Sequence, residues 1–90
     1  MSFSIKFTHA ASRQFENLPH RVQKIIAEAI NSLADNPHPN QCRKIKGIKN
    51  LWRLKIGNYR VIYTIRETLL LVIIVRVANR KEVYMRLNEL

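Results

Sequence analysis

Arg53, Lys55 and Arg60 are the residues whose types and spacing best support chemistry. Between Asn36 and Arg66 stand eight basic residues (Arg43, Lys44, Lys46, Lys49, Arg53, Lys55, Arg60, Arg66) and no acidic one. A guanidinium can grip a phosphate bidentately, and an ammonium acts as a compact point charge. A lysine serves as a base only if its pKa falls, and neighbouring cations cause that fall by disfavouring the charged form. The same cations would stabilise a pentavalent phosphorane dianion. For any one of these residues a solvated surface charge is the simpler reading. For eight bases without an acid, a bound polyanion is favoured, nucleic acid first. No His–Glu acid–base pair is visible, because His9, His20 and His38 lie outside the basic segment's strands and neither Glu67 nor Glu82 adjoins a histidine. No ligand cluster suggests a metal, and no cofactor is expected.

The elements that must position these cations read as sheet. Residues 51–56 (LWRLKI) put Trp52, Leu54 and Ile56 on one face and Arg53 and Lys55 on the other. Gly57-Asn58 suits a tight hairpin turn, after which Tyr59, Val61, Tyr63 and Ile65 alternate with Arg60, Ile62 and Thr64. The hairpin then brings Arg60 next to Arg53 and Lys55 on one surface, where directly opposed like charges are destabilising. Trp52 reads as core, since it aligns with Leu54.

Upstream, Phe3, Ile5 and Phe7 alternate with polar residues and predict a strand over 3–8. Thr8 can cap a short helix carrying Ala11, Phe15 and Leu18, and Pro19 suits the first turn of a second helix. Val22, Ile25, Ile26, Ala29, Ile30 and Leu33 form its apolar face. That helix should end near Asp35-Asn36, because Pro37 and Pro39 disfavour helical dihedrals before them. A loop to about Asn50 follows. Glu67-Thr68 turns the chain, the nearly continuous apolar run Leu69 to Val77 suits a central strand, and a short strand around Lys81 to Tyr84 completes the sheet. The expected fold is α+β: a β-α-α-β-β-β(-β) sandwich with a mostly antiparallel sheet, two helices on one face and the other face free for function.

Composition sets the outer bounds. Ninety residues with 47% hydrophobic content suit one domain spanning 1–90 and argue against disorder. The longest apolar run, Leu69 to Val75, has seven residues, against the roughly 20 of a membrane-spanning helix, so no membrane is expected. The start, MSFSIKFTHAASRQF, lacks the apolar core of a secretory signal, and a lone Cys42 allows no internal disulfide; a cytoplasmic location is expected. Sixteen Lys plus Arg against six Asp plus Glu leave a net charge of +10, which asks for an anionic partner.

The stretch KIKGIKNLWRLKIGNYRVIYTI followed by LVIIVRVANRKEVY resembles the RelE/ParE superfamily of small toxins, most closely its RelE branch. The pieces that carry the likeness are Lys46-Gly47, the Trp-Arg-Leu-Lys strand, the Gly-x-Tyr-Arg-Val-Ile-Tyr hairpin and the Asn-Arg-Lys-Glu-Val-Tyr ending. The resemblance implies a RelE-like microbial-ribonuclease fold. It further implies a toxin that enters the ribosomal A site and cuts mRNA without a metal, by attack of the ribose 2′-hydroxyl to leave a cyclic phosphate. Its implied partners are the ribosome with its 16S rRNA, mRNA, and a cognate acidic antitoxin in a hetero-oligomeric complex that binds DNA through the antitoxin. Carried onto this chain, Lys55 takes the 2′-hydroxyl proton, Arg60 braces the phosphate, Arg80 assists the leaving 5′-oxygen and Tyr84 stacks near the scissile nucleotide. Arg53 matches a second basic position and stands where the best-known pattern has lysine. Arg43, Lys44, Lys46 and Lys49 are the expected RNA and ribosome contacts. Two other classes compete: a non-catalytic ParE-like inhibitor of DNA gyrase, and a plain RNA-binding module.

Overall fold

The computed structural model describes residues 2–85. Its elements are β1 (Ser4–Phe7), α1 (His9–Glu16), α2 (His20–Ser32), β2 (Cys42–Lys44), β3 (Trp52–Ile56), β4 (Tyr59–Arg66) and β5 (Leu71–Asn79), with a 3-10 turn at Glu67–Leu69. The strands form one sheet in the order β1-β5-β4-β3-β2, parallel between β1 and β5 and antiparallel elsewhere. This is the α+β arrangement expected from the sequence.

Period-two patterning decides which side chains meet the helices. Leu54, Val61, Tyr63, Val72, Ile74 and Val77 face Ala11, Ile26, Ile30 and Leu33, all buried. Each such aliphatic side chain removed from water contributes about 1.5–3 kcal/mol. Trp52 packs against this core, as expected of it. Thr8 caps α1 as expected, its Oγ1 accepting the Ala11 N–H at 3.1 Å. α1 stops at Glu16, so Leu18 falls in the connecting turn, and Pro19 is the N-cap of α2 instead of a first-turn residue. α2 ends at Ser32, earlier than expected, and turns carry the chain to Asn36. Ile25 is 53% exposed although it belongs to the apolar pattern. A single sheet covers only a stripe of the helix, and Ile26, Ile30 and Leu33 occupy it.

Three further expectations are corrected. The segment assigned to loop up to Asn50 contains β2, with Cys42 opposite Leu54, Arg43 opposite Arg53 and Lys44 opposite Trp52. The strand expected at Lys81 to Tyr84 is a run of turns: Glu82 and Val83 N–H donate to Asn79 O, and Lys81 and Glu82 N–H donate to Asn79 Oδ1. An asparagine side chain that caps a local turn competes with a ladder. The neighbouring edge of β5 is also taken, because Val77 N–H donates to Gln14 Oε1 at 2.8 Å. Finally, the face away from the helices is not bare: Leu51, Ile62 and Val83 are buried there beside Ile45, Ile48, Val75 and Ala78.

A register shift between Ile62 and Tyr63 links the two faces. Tyr63 pairs with Ile74 and Ile62 with Arg76, leaving Val75 without a partner on β4. This bulge resets the alternation of β5, so Ile74 and Val77 both reach the helix-side core while Ala78 joins the second one.

Tyr63 is fully buried, and its Oη donates to Pro37 O at 2.8 Å, tying the loop before β2 to β4. Burial first, then the neighbouring Cys42 thiol, push the Tyr63 hydroxyl well above its ordinary value of 10.0. Tyr63→Phe leaves Pro37 O unpaired and is expected to cost about 1–2 kcal/mol in urea unfolding at neutral pH. Below pH 10 both folded and unfolded chains keep the phenol proton. Above it the unfolded chain releases a proton the fold retains, so this residue lowers stability by up to about 1.4 kcal/mol per pH unit. The difference in stability between wild type and Tyr63→Phe should therefore shrink as pH rises above 10; a constant difference would refute the burial-driven shift.

Candidate nucleic-acid interface

The β3–β4 hairpin turns on Gly57, whose φ of +57° favours glycine, with Asn58 on the ordinary side of φ. That order of dihedrals is the one a two-residue type II′ turn requires. The turn fixes the pairing of Lys55 with Arg60 and of Arg53 with Ile62, and β2 adds Arg43 opposite Arg53. Two pairs of like charges thus face each other across strands. Each close pair costs of order 1 kcal/mol in water-like dielectric, and no folding requirement explains two.

Beside these pairs an open groove of about 720 Å³ is lined by Arg43, Lys44, Ile45 and Lys46 from β2 and its exit, Arg53 from β3, Arg60 from β4, and Arg80, Lys81 and Tyr84 from the C-terminal turn. Seven of the nine lining residues are cations and none is an acid. Among the described residues, the contact within salt-bridge distance is His38 Nε2 to Glu67 Oε1 at 3.7 Å, and it involves no groove residue. No three His, Cys, Asp or Glu side chains gather among the described residues, and no described helix is long and apolar enough to cross a membrane.

Two of the groove's guanidinium groups are held in place by carbonyls. Arg60 is only 9% exposed, and its Nη1 donates to Gly57 O at 3.0 Å and Tyr59 O at 2.9 Å. It therefore braces the hairpin tip while lining the groove. Arg43 Nη1 donates to Asn40 O and Cys42 O, both at 2.8 Å. The Arg80 backbone N–H donates to Asn58 O at 2.9 Å, so the C-terminal turn is tied to the same hairpin tip. Guanidinium groups fixed this way lose little rotamer freedom when a phosphate arrives.

Arg53, Arg60, Arg80 and Tyr84 come together in the groove with Arg43, Lys44 and Lys46. Lys55 is exposed on the same strand face, directly across from Arg60, but does not line the groove. Lys49 lines an adjoining depression of about 540 Å³ with Lys44 and Lys46. Arg66 lies at the far end of β4, opposite Leu71. Lys81 is a groove residue that sequence reasoning missed; its place next to Arg80 in the ANRKEVY ending was the available signal. Tyr84 is 43% exposed at the rim, an aromatic able to stack on a base. Trp52 lies with the helix-side core, edge-on to His38 at 4.7 Å, and is no platform for the groove.

Two helices on one side of a five-stranded, mostly antiparallel sheet are the fold of RelE-like toxins. A chain of the toxin–antitoxin complex RelBE2 from Mycobacterium tuberculosis shares the fold at a TM-score of 0.79 and 24% identity, over 89% of this chain and 100% of that one. Toxin RelE3 of Methanocaldococcus jannaschii is 36% identical over 64 residues, covering 71% of this chain and 70% of the relative. Toxin RelG of Mycobacterium tuberculosis is 28% identical over 87 residues, covering 96% of this chain and 100% of the relative. Residues 5–84 match the family described as the ParE toxin of type II toxin-antitoxin system, parDE. The chain belongs to this family: it is a toxin of a type II toxin–antitoxin system, on the RelE branch of the RelE/ParE superfamily.

Counterion release makes the groove's occupancy measurable. Seven phosphate contacts on single-stranded RNA would give a slope of log affinity against log salt of up to about −5, and Arg43→Ala or Arg53→Ala should each reduce it by about 0.7. Fluorescence anisotropy across a salt series reads this; slopes unmoved by both substitutions would mean that anions bind elsewhere.

Proposed function

We propose that this toxin is a ribosome-dependent endoribonuclease that cuts mRNA in the A site and so stops translation. The observation that carries the reading is the convergence of Arg53, Arg60, Arg80 and Tyr84 in one acid-free groove. In the proposed reaction the 2′-oxygen attacks the adjacent phosphorus while the P–O5′ bond breaks, leaving a 2′,3′-cyclic phosphate and a free 5′-hydroxyl. No water acts as nucleophile and no metal takes part. Arg53 and Arg60 neutralise the non-bridging oxygens as the phosphorane dianion forms. Arg80, whose guanidinium keeps its proton, hydrogen-bonds the leaving 5′-oxygen, which takes a proton from solvent to become the free hydroxyl, and Tyr84 stacks on the neighbouring base. Lys55 accepts the 2′-hydroxyl proton by reaching in from the exposed position opposite Arg60, which its four-carbon stem permits. Lys44, Lys46 and Lys49, with Arg43, hold flanking RNA of the ribosome or the message. The groove is open, so alignment of the 2′-oxygen with the leaving group falls to the ribosome, which explains why free RNA would be a poor substrate.

The toxin's partner in the uncut state is a cognate acidic antitoxin that covers the groove and neutralises its cations. Two observations support this: none of the residues that line the groove with its seven cations is acidic, and the RelBE2 structure that shares this fold is a toxin–antitoxin complex. Inhibition of DNA gyrase without cleavage is the second reading, and the match to the ParE family over residues 5–84 is what favours it.

Purified toxin should cut mRNA on programmed ribosomes, leave free mRNA intact, and leave gyrase supercoiling unaffected. Lys55→Ala combined with Arg80→Ala should lower single-turnover cleavage by at least about 10²–10³-fold. Intact mRNA together with blocked supercoiling would replace this reading with the second. The product of an adjacent acidic reading frame, at a hundredfold excess over its Kd, should stabilise the toxin by about 2.7 kcal/mol, a rise of order 10 °C in melting temperature. No rise would count against the antitoxin.

A further inference from the structure

Arg80 and Tyr84 reach the groove from a segment with no strand partner, which raises the matter of what holds that segment still. Among the described residues its backbone bonds are few: Arg80 N–H to Asn58 O, Glu82 and Val83 N–H to Asn79 O, Met85 N–H to Glu82 O, and the Asn79 Oδ1 cap at its start. Val83 packs under it against Ile62. Among the described residues, the carbonyls at its far end are met by the side chain of Arg76, whose Nη1 donates to Val83 O at 2.8 Å and to Met85 O. Arg76 is half-buried and lies on β5 at the bulge, opposite Ile62. Without the bulge, the period of two would send residue 76 to the same face as Ile74, into the helix-side core. The inserted residue instead places it opposite Ile62, on the face to which Val83 belongs.

We propose that Arg76 is a positioning residue for the cleavage reaction: it clamps the carbonyl end of the 79–85 turn and thereby sets where Arg80 and Tyr84 stand in the groove. This rests on the endoribonuclease reading above. Arg76 does not line the groove, so it touches no substrate in this arrangement. Its cation also sits at the carbonyl end of a helical-type turn, where positive charge is favourable. The groove's remaining lining comes from β2 and its exit, β3 and β4, which do not depend on the turn, so loss of the clamp should affect the turn residues Arg80, Lys81 and Tyr84 selectively.

The test compares wild type, Arg76→Met and Arg76→Lys in single-turnover cleavage on programmed ribosomes, with RNA affinity, its salt slope, and amide hydrogen exchange measured on the same proteins. Arg76→Met should cut about 10–100-fold more slowly, as a displacement of about 1 Å at a catalytic group does. Its RNA affinity and salt slope should stay within twofold of wild type, and faster exchange should be confined to the 82–85 amides. Arg76→Lys keeps a cation that can reach one carbonyl and should recover part of the rate. Equal loss of rate and affinity, or exchange raised across β4 and β5, would make Arg76 merely structural and overturn the inference. An unchanged rate would overturn it too. Should Arg76→Met not fold, the same readouts on Arg76→Lys decide. Wild-type protein that cuts nothing would instead sink the endoribonuclease reading, and that outcome is recognisable before any variant is made.

Discussion

The register of the β3–β4 hairpin is the constraint on which the rest of the molecule depends. A slip of one residue would exchange every side chain between the two faces of the sheet. Leu54 and Val61 would leave the helix-side core, and Arg53, Lys55 and Arg60 would be driven into it. The register is held from both ends. At the tip, Gly57 takes the left-handed backbone that a two-residue turn needs, and Arg60 ties its own guanidinium to the carbonyls of Gly57 and Tyr59. At the base, Tyr63 is sealed in the core and bonded to Pro37. The hydrophobic pattern thus fixes on one side of the sheet what electrostatics alone would oppose on the other.

The opposing cations are tolerable because the face that carries them is not wholly charged. Leu51, Ile62 and Val83 form a small second core there. It pins the loop after β2 and the C-terminal turn against the sheet, and those two segments form the groove's walls. Charge and apolar contact therefore have separate tasks on one surface. The apolar island sets the shape, and the guanidinium groups around it, oriented by backbone carbonyls, supply the potential. In this arrangement a bound anion relieves self-repulsion that the free toxin must carry, so any polyanionic ligand of this face is linked to stability.

Much of this was legible in the sequence, and the failures have physical causes. The alternation in LWRLKI and YRVIYTI needed no tertiary information, because one face of each strand is buried and the period of two shows directly. Arg53 and Arg60 followed from the hairpin. β2 was invisible because three residues, Cys42-Arg43-Lys44, are too short to show a period and two are charged. The turn at 79–85 imitates a strand, since KEVY alternates as a strand would; the decisive feature is the Asn79 side chain, which bonds its own downstream amides. The bulge at Val75 could not be read at all inside a run of seven apolar residues, where each looks suitable for either face. The burial of Arg60 was also hidden, as it arises from carbonyls one and three residues before it in a turn whose conformation only the structure gives.

These unread features belong together. The bulge, the place of Ala78 beside the second core and the reach of Arg76 to the C-terminal turn all follow from one extra residue in β5. Val75 shifts the alternation, which returns Val77 to the helix side, sets Ala78 beside the second core, and leaves Arg76 opposite Ile62 within reach of the turn's carbonyls. The regular half of the sheet supplies Arg53, Arg60 and the flanking cations by pattern alone. The irregular half supplies Arg80 and Tyr84 by local bonds that pattern does not encode. A groove assembled from both can keep its scaffold rigid while the turn, with fewer buried contacts and more exposed backbone hydrogen bonds, opens at lower cost. The part of the site most open to adjustment by a ligand is thus the part that approaches the leaving group in the proposed reaction.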